Sequence, residues 1–278
     1  MNTSTRRMRA NRAITAALIV AGASVGTTGV AQANDRWSTP NVAGLGDSFG
    51  SGEGTHVYYP AVYGTPGRPL ECHRSQYSWQ AEMLTYTGKV SSSLPGFVNN
   101  KFVACSGATT KDILANQLGA INASTDVIYL SMGGNDAHFS DVLNHCAISK
   151  AMPGDTCLTK ASSLFGITNP EYRDKPIETS LKPFIENNVK ANLRVAIEAI
   201  HATAPNAKIV WAGYPDLLGS PTSLFPNCLQ REVNLYNLGG TRFRMWVSER
   251  TRDMNAVIKS VASEQVKGLF TDEGVGGV

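Results

Sequence analysis

Apolar residues fall along the chain in two alternating periods. Near-continuous runs occur at Val42-Ala43-Gly44-Leu45, Lys101–Cys105, Asp126–Met132 and Lys208–Tyr214, and a fifth begins at Gly268-Leu-Phe-Thr271. Short runs of this kind, bounded by Gly, Asp and Asn, predict strands buried on both faces of a parallel sheet. Between them the period lengthens. Trp79, Met83 and Leu84 predict one face of a helix that Ser75 or Ser78 can cap. Lys111–Leu118 and Ala137–Leu143 read as short helices. Leu181, Phe184, Ile185, Val189, Leu193, Ala196, Ile197 and Ile200 keep helical spacing, and that helix stops before Pro205. Residues 242–266 form a second long helix, burying Phe243, Trp246, Val247, Met254, Val257, Ile258 and Val261. Strands alternating with helices imply an α/β fold with helices on both sheet faces.

Residues 1–33 stand apart from this pattern. Arg6, Arg7, Arg9 and Arg12 precede a run of Ala, Val, Ile and Leu, and Ala31-Gln32-Ala33 is a small-x-small cleavage signal. That is the layout of an export signal peptide. A membrane anchor is the competing reading, but Thr, Ser and Gly interrupt the apolar run. The expectation is a secreted protein with one domain over residues 34–278 and no stable membrane insertion.

Removing the leader also changes the charge. The chain carries 25 basic and 22 acidic residues, and four of the basic ones lie in the leader with no acid beside them. The remainder is close to neutral and bears no footprint for nucleic acid. Five cysteines, Cys72, Cys105, Cys146, Cys157 and Cys228, lie in the exported part. Oxidation in pairs is expected there. Cys146 and Cys157 bracket a short loop, and a Cys72–Cys105 bridge would tie the stretch after the first strand to the second, leaving Cys228 unpaired. No metal-ligand spacing is present, and no metal or cofactor is expected.

Three strands end in glycine-bearing turns: Gly46-Asp47-Ser48, Ser106-Gly107-Ala108 and Gly133-Gly134-Asn135-Asp136. In a parallel sheet these turns share one edge, where ligands collect. Together they offer a hydroxyl, unobstructed backbone N–H groups and a carboxamide. That inventory suits attack on an acyl carbonyl and stabilisation of the resulting oxyanion. Taken alone, Gly-Asp-Ser also fits a plain strand-to-loop turn with an N-capping residue.

In this order and spacing, with Cys72-His73-Arg74-Ser75 and Cys105-Ser106-Gly107-Ala108 between them, the motifs resemble the SGNH (GDSL-type) hydrolases, in particular the secreted actinobacterial esterases and lipases. The resemblance runs from about Asn41 to Thr271. It implies a flavodoxin-like three-layer sandwich with a central parallel sheet of about five strands. It also implies Ser48 as nucleophile and an oxyanion hole made by the N–H groups of Ser48 and Gly107 and the side chain of Asn135. Asp47 and Asp136 are supporting residues, with Asp47 ordering the turn. The substrate would be a small-molecule or lipid ester, cleaved by a monomer.

The chain departs from the family at its end. The family's general base is a histidine in a late Asp-x-x-His or Gly-His segment. Here Asp272 is followed by Val275 at that spacing, and Val278 is the last residue. Related enzymes also place a cysteine after that histidine, a partner for the one at Cys228. A single missing segment would explain both gaps, so the expectation is a truncated chain that turns over p-nitrophenyl esters poorly. His56 and His138 are the nearest substitutes; His73, His145 and His201 read as ordinary loop or helix residues. Trp79, Trp211 and Trp246 read as packing. The competing expectation is a catalytically silent secreted module that binds acylated glycans or lipids in the same pocket. Substrate choice would lie in the loops at 55–70, 146–176 and 215–237.

Overall fold

A computed structural model gives the fold and describes residues 39–59, 72–89, 91, 101–148, 154–216 and 241–269. The chain divides into two units, Met1–Ser38 and Thr39–Val278. All the described residues belong to the second, so the expected leader, Cys228, Asp272 and Val275 lie outside them.

The sheet is parallel. Strand β1 (Val42–Gly46) pairs with β2 (Val127–Ser131) in the register Val42↔Val127 to Gly46↔Ser131. Strand β2 pairs in turn with β3 (Lys208–Trp211), from Val127↔Lys208 to Leu130↔Trp211. On the other side of β1 runs the segment 101–105. It bridges Gly44 through Phe102 and exchanges three backbone bonds: Gly44 N–H to Lys101 O, Val103 N–H to Gly44 O and Cys105 N–H to Gly46 O, at 2.6, 2.8 and 2.9 Å. In chain order the strands therefore stand second, first, third, fourth, the flavodoxin-like arrangement. The Val42–Gly46 strand is buried throughout, as a central parallel strand must be.

Helices cover the sheet, and their starts follow from capping. Ser78, not Ser75, caps the Trp79–Gly88 helix by accepting the Ala81 N–H at 3.0 Å. Its inward face is Gln80, Ala81, Leu84 and Gly88, while Met83 is exposed. Leu84 shares the buried stripe with Gln80, Ala81 and Gly88 at the i, i+3, i+4 spacing of one helix face, and Met83 falls on its solvent side. Thr109 and Asp112 form a reciprocal capping box at the Thr110–Asn116 helix. The long amphipathic helix runs as Ile177–Phe184, a wide π turn at Ile185–Val189, and Lys190–Thr203. Pro183, which has no N–H to donate, sits just before the wide turn.

The last helix, Thr241–Leu269, corrects one expectation: Gly268 and Leu269 are helical and do not open a fifth strand. A helix anchored by Phe243, Met254 and Val261 in the core extends at little cost per residue, and one glycine near its end costs only about 1 kcal/mol.

Two buried glutamines fix the end of β1. Gln80 Nε2 donates to Leu45 O at 2.8 Å and to Tyr129 O at 3.2 Å. Gln117 accepts the Gly46 N–H with Oε1 at 2.7 Å and donates to Gly46 O with Nε2 at 2.8 Å. Gly46 has φ +139°, and a Cβ there would lie 2.1 Å from Ser131 O. No other residue type passes between the strands at that point. Gln117→Leu would leave the buried Gly46 N–H without its acceptor. It should lower stability by about 1–3 kcal/mol, read as a lower urea midpoint with an unchanged slope.

Candidate active site

Strand β1 delivers Ser48 to the sheet edge on a single helical turn, Ser48–Ser51. Asp47 caps it. Its own N–H donates to Ser131 O at 3.0 Å. Its Oδ1 accepts the Phe49 N–H at 3.1 Å and the Ser131 hydroxyl at 2.9 Å, and its Oδ2 accepts the Tyr214 hydroxyl. The side chain is 1% exposed. Burial pushes the Asp47 carboxyl above its ordinary value, against hydrogen bonds from Tyr214, Ser131, Phe49 and Gly50 that pull it down. Both oxygens are thus engaged in holding the turn.

The second and third turns lie beside the first. Gly107 has φ +78°, which glycine adopts freely. Among the described residues no acceptor takes the N–H of Gly107 or of Ser48. Asn135 donates through Nδ2 to Ala108 O at 2.9 Å and accepts the Ser140 hydroxyl at 3.2 Å. One N–H of its amide is thereby tied to the residue after Gly107, and the other is left over. Asp136 holds the start of the Thr110–Asn116 helix, accepting the Thr110 N–H at 2.9 Å and the Thr110 hydroxyl at 2.5 Å.

Ser48 and Asn135 line the same cavity, about 240 Å³ in volume. Phe49, Phe139, Leu143, Pro215 and Val247 make its walls mostly apolar, with Asp47, Glu53, Gly134 and Tyr214 also at the wall. Gly107 does not line it; the carbonyl of its neighbour Ala108 accepts the Asn135 amide. Apolar walls around a few convergent polar groups are the usual makeup of a small-ligand site.

A hydrogen-bonded cluster braces the rim. Cys72 and Cys105 are joined by a disulfide, as are Cys146 and Cys157. The first bond places His73 and Ser106 on adjacent segments, and both bond Glu53 Oε2, at 2.7 and 2.6 Å. Tyr58 adds its hydroxyl to Glu53 Oε1 at 3.2 Å and stacks on His73 with ring centroids 4.5 Å apart. Burial raises the Glu53 carboxyl, but the bonds from Ser106 and His73 outweigh it and leave it below its ordinary value. Arg74 reaches the Phe102 carbonyl at 2.9 Å, and burial lowers it to about 10. The Ser75 N–H donates to Ser51 O at 2.8 Å. The Cys72–Ser75 motif is therefore a brace that joins the Ser48 turn to the Gly107 turn.

The histidines stand elsewhere. No histidine lines the described part of the cavity. His56 is exposed at φ +58°. His138 precedes the Phe139–Leu143 helix at φ +56° without a side-chain capping bond and pairs with Asp141 at 3.0 Å. His145 Nδ1 meets Asp141 O at 2.8 Å, and His201 lies in the Lys190–Thr203 helix. His73, read from sequence as an ordinary loop residue, is instead part of the Glu53 cluster. Sequence reasoning also missed Glu53, Ser131 and Tyr214. Tyr214 was discoverable: it ends the fourth apolar run, so it reaches the same sheet edge as the three turns.

Against known proteins, the family model described as GDSL-like Lipase/Acylhydrolase family matches residues 45–272. Lipase 1 of Streptomyces coelicolor is 28% identical over 210 residues, covering 76% of this chain and 65% of that protein. A lipase of Streptomyces rimosus is 27% identical over 260 residues, 90% of this chain and 75% of that one. The crystal structure of the extracellular Streptomyces rimosus lipase superposes with a TM-score of 0.58 at 27% identity, over 82% of this chain and 77% of that one. Phospholipase A1 from Streptomyces albidoflavus gives 0.56 at 25% identity, over 82% and 78%.

The raised value of Asp47 has a consequence for stability. Such a group contributes fully below its unfolded value of 3.8, and the contribution is lost as pH rises through the higher folded value. Asp47→Asn removes that loss while keeping an N-capping side chain. The stability of the variant relative to wild type should therefore rise with pH across that window. Urea unfolding at several pH values between about 4 and 8 measures it.

Proposed function

This chain belongs to the GDSL-like lipase/acylhydrolase family, and from that premise we propose that it is a serine hydrolase of carboxylic esters, working through an acyl-enzyme on Ser48. The observation that carries the reading is the cavity that Ser48 and Asn135 both line, together with the N–H groups of Ser48 and Gly107, which have no acceptor among the described residues. Ser48 Oγ attacks the ester carbonyl and gives its proton to a base that enters the cavity from solvent, which returns it to the alcohol as that group leaves. The carbonyl oxygen becomes an oxyanion, held by the N–H groups of Ser48 and Gly107 and by Asn135. Collapse expels the alcohol, which takes a proton, and leaves the acyl group on Ser48. Water then adds to the acyl carbonyl and releases the acid. Each donor of such a hole is typically worth about 3 kcal/mol in the transition state.

The walls of the cavity suit the acyl side of the substrate. Phe49, Phe139, Leu143 and Val247 offer apolar surface and little hydrogen bonding, which fits a hydrocarbon chain. The names of the relatives, lipase and phospholipase A1, support a lipid ester. Two disulfides and an extracellular lipase among the similar structures support export. No described helix is long and apolar enough to cross a membrane, which fits a substrate met in solution or at a lipid surface.

Asp47 has both oxygens engaged and acts on the turn, not on the Ser48 proton. Glu53 lies at the cavity wall, but Ser106, His73 and Tyr58 occupy its oxygens. With no histidine at the described wall, we propose that the chain turns over slowly and that a small base diffusing into the cavity restores the step. Losing the base of a serine triad costs on the order of 10⁶ in kcat.

The same observation favours a second reading, a silent module that binds acyl groups without cleaving them. Hydrolysis of p-nitrophenyl butyrate separates the two. The enzyme reading expects weak release of p-nitrophenol that rises steeply with added imidazole and disappears in Ser48→Ala, once free-imidazole hydrolysis is subtracted. An imidazole response equal in wild type and Ser48→Ala, with ester binding retained in both, would favour the silent module.

A further inference from the structure

We propose that Tyr214 is a positioning residue for the ester-cleaving site and that Asn255, on the last helix, holds it there. The inference rests on the function proposed above. The Tyr214 hydroxyl stands between two turns that nothing else described joins directly. It accepts the Gly134 N–H at 2.8 Å and donates to Asp47 Oδ2. Asp47 caps the turn that carries Ser48, and Gly134 precedes Asn135. Beside the Asp47–Ser131 bonds that register β1 on β2, the phenol ties the turn of the nucleophile to the turn of the carboxamide donor, and the bond from Asn135 to Ala108 O extends the tie to the segment that follows Gly107.

Three features mark the seat as built for this ring. A Cβ on Gly134 would lie 3.1–3.2 Å from the outer end of the Tyr214 ring, tighter than most real contacts, so glycine leaves room for the phenol to reach the backbone. Phe49, the residue after Ser48, packs on the same ring with centroids 5.9 Å apart. The backbone of Tyr214 is held on both sides by one residue: its N–H donates to Asn255 Oδ1 at 2.8 Å, and Asn255 Nδ2 donates to its carbonyl at 2.9 Å. A Cβ on the preceding Gly213 would lie 2.7 Å from Asn255 Oδ1, so that approach is also close by design of the sequence.

The phenol is not itself a proton carrier in this arrangement. Burial and the Asp47 charge hold Tyr214 well above the ordinary tyrosine value of 10, so it stays a neutral donor. Its contribution is geometric. Loss of the hydroxyl leaves Asp47 Oδ2 and the Gly134 N–H to find other partners, and the three oxyanion donors lose their common point. A defect of that kind falls on kcat more than on KM, because it removes stabilisation made chiefly in the transition state.

Two readouts test this, one of them independent of catalysis. With imidazole present, Tyr214→Phe should lower kcat by about 10- to 100-fold and leave KM within about twofold. Asn255→Ala should follow in the same direction, and Asn255→Asp, which keeps the acceptor, should recover part of the loss. Tyr86→Phe, at an exposed tyrosine far along the Trp79–Gly88 helix, is the control and should behave as wild type. Amide hydrogen exchange in the uncomplexed proteins should show the Gly134 N–H protected in wild type and exposed in Tyr214→Phe. A Tyr214→Phe enzyme with wild-type kcat, or with the Gly134 amide still protected, would overturn the assignment. If wild type shows no Ser48-dependent turnover, the functional reading has failed. The exchange result then decides the structural half of the inference: lost protection in Tyr214→Phe upholds Tyr214 as the tie between the two turns, and unchanged protection refutes it. Should Tyr214→Phe not fold, Asn255→Ala carries the same exchange test.

Discussion

A buried carboxylate organises the working edge of this protein. Asp47 sits where β1 ends, buried away from solvent, so every lone pair it uses must be met by the chain. The turn of its own helix, the β2 side chain Ser131 and the phenol of Tyr214 meet them. Each of those partners belongs to a different segment. The cost of burying one acid is partly offset by bonds that also register three strand ends against each other, and the Ser48 and Gly107 amides have no acceptor among the described residues. The proposed oxyanion site draws on the donors that such a tightly satisfied turn does not use itself.

Much of this arrangement was legible from the chain alone, for identifiable reasons. The run from Val127 to Met132 has no polar interruption before Ser131, so its place in a buried parallel strand follows from period alone. The three glycine-bearing turns announced themselves because glycine, Asp and Asn are confined to such corners by backbone sterics. The bridges Cys72–Cys105 and Cys146–Cys157 follow from loop length and strand neighbourhood. Local chemistry of this sort is written in adjacent letters.

What escaped was long-range and polar. Gln80, Gln117 and Tyr214 bond across 35, 71 and 167 positions, and nothing near them in sequence marks their partners. His73 belongs to a cluster only because a disulfide carries it to Glu53. The choice of Ser78 over Ser75 as cap turns on which one has extended backbone in front of a free N–H. The end of the last helix was misread because Gly268 resembles a stop, while the apolar anchors far upstream decide how far a helix runs. Hydrogen bonds between side chains and distant backbone have no period, and pattern reading does not see them.

The account stands or falls on convergence: one hydroxyl and three N–H donors must meet at a point. Soaking crystals of the protein with butylboronic acid places a tetrahedral boron where an ester carbon would be. The expected result is a boron bonded to Ser48 Oγ, with one boronate oxygen within about 3 Å of the Ser48 and Gly107 nitrogens and of Asn135 Nδ2. An adduct whose oxygens turn away from those three donors, or boron bound to another residue with Ser48 untouched, would contradict it.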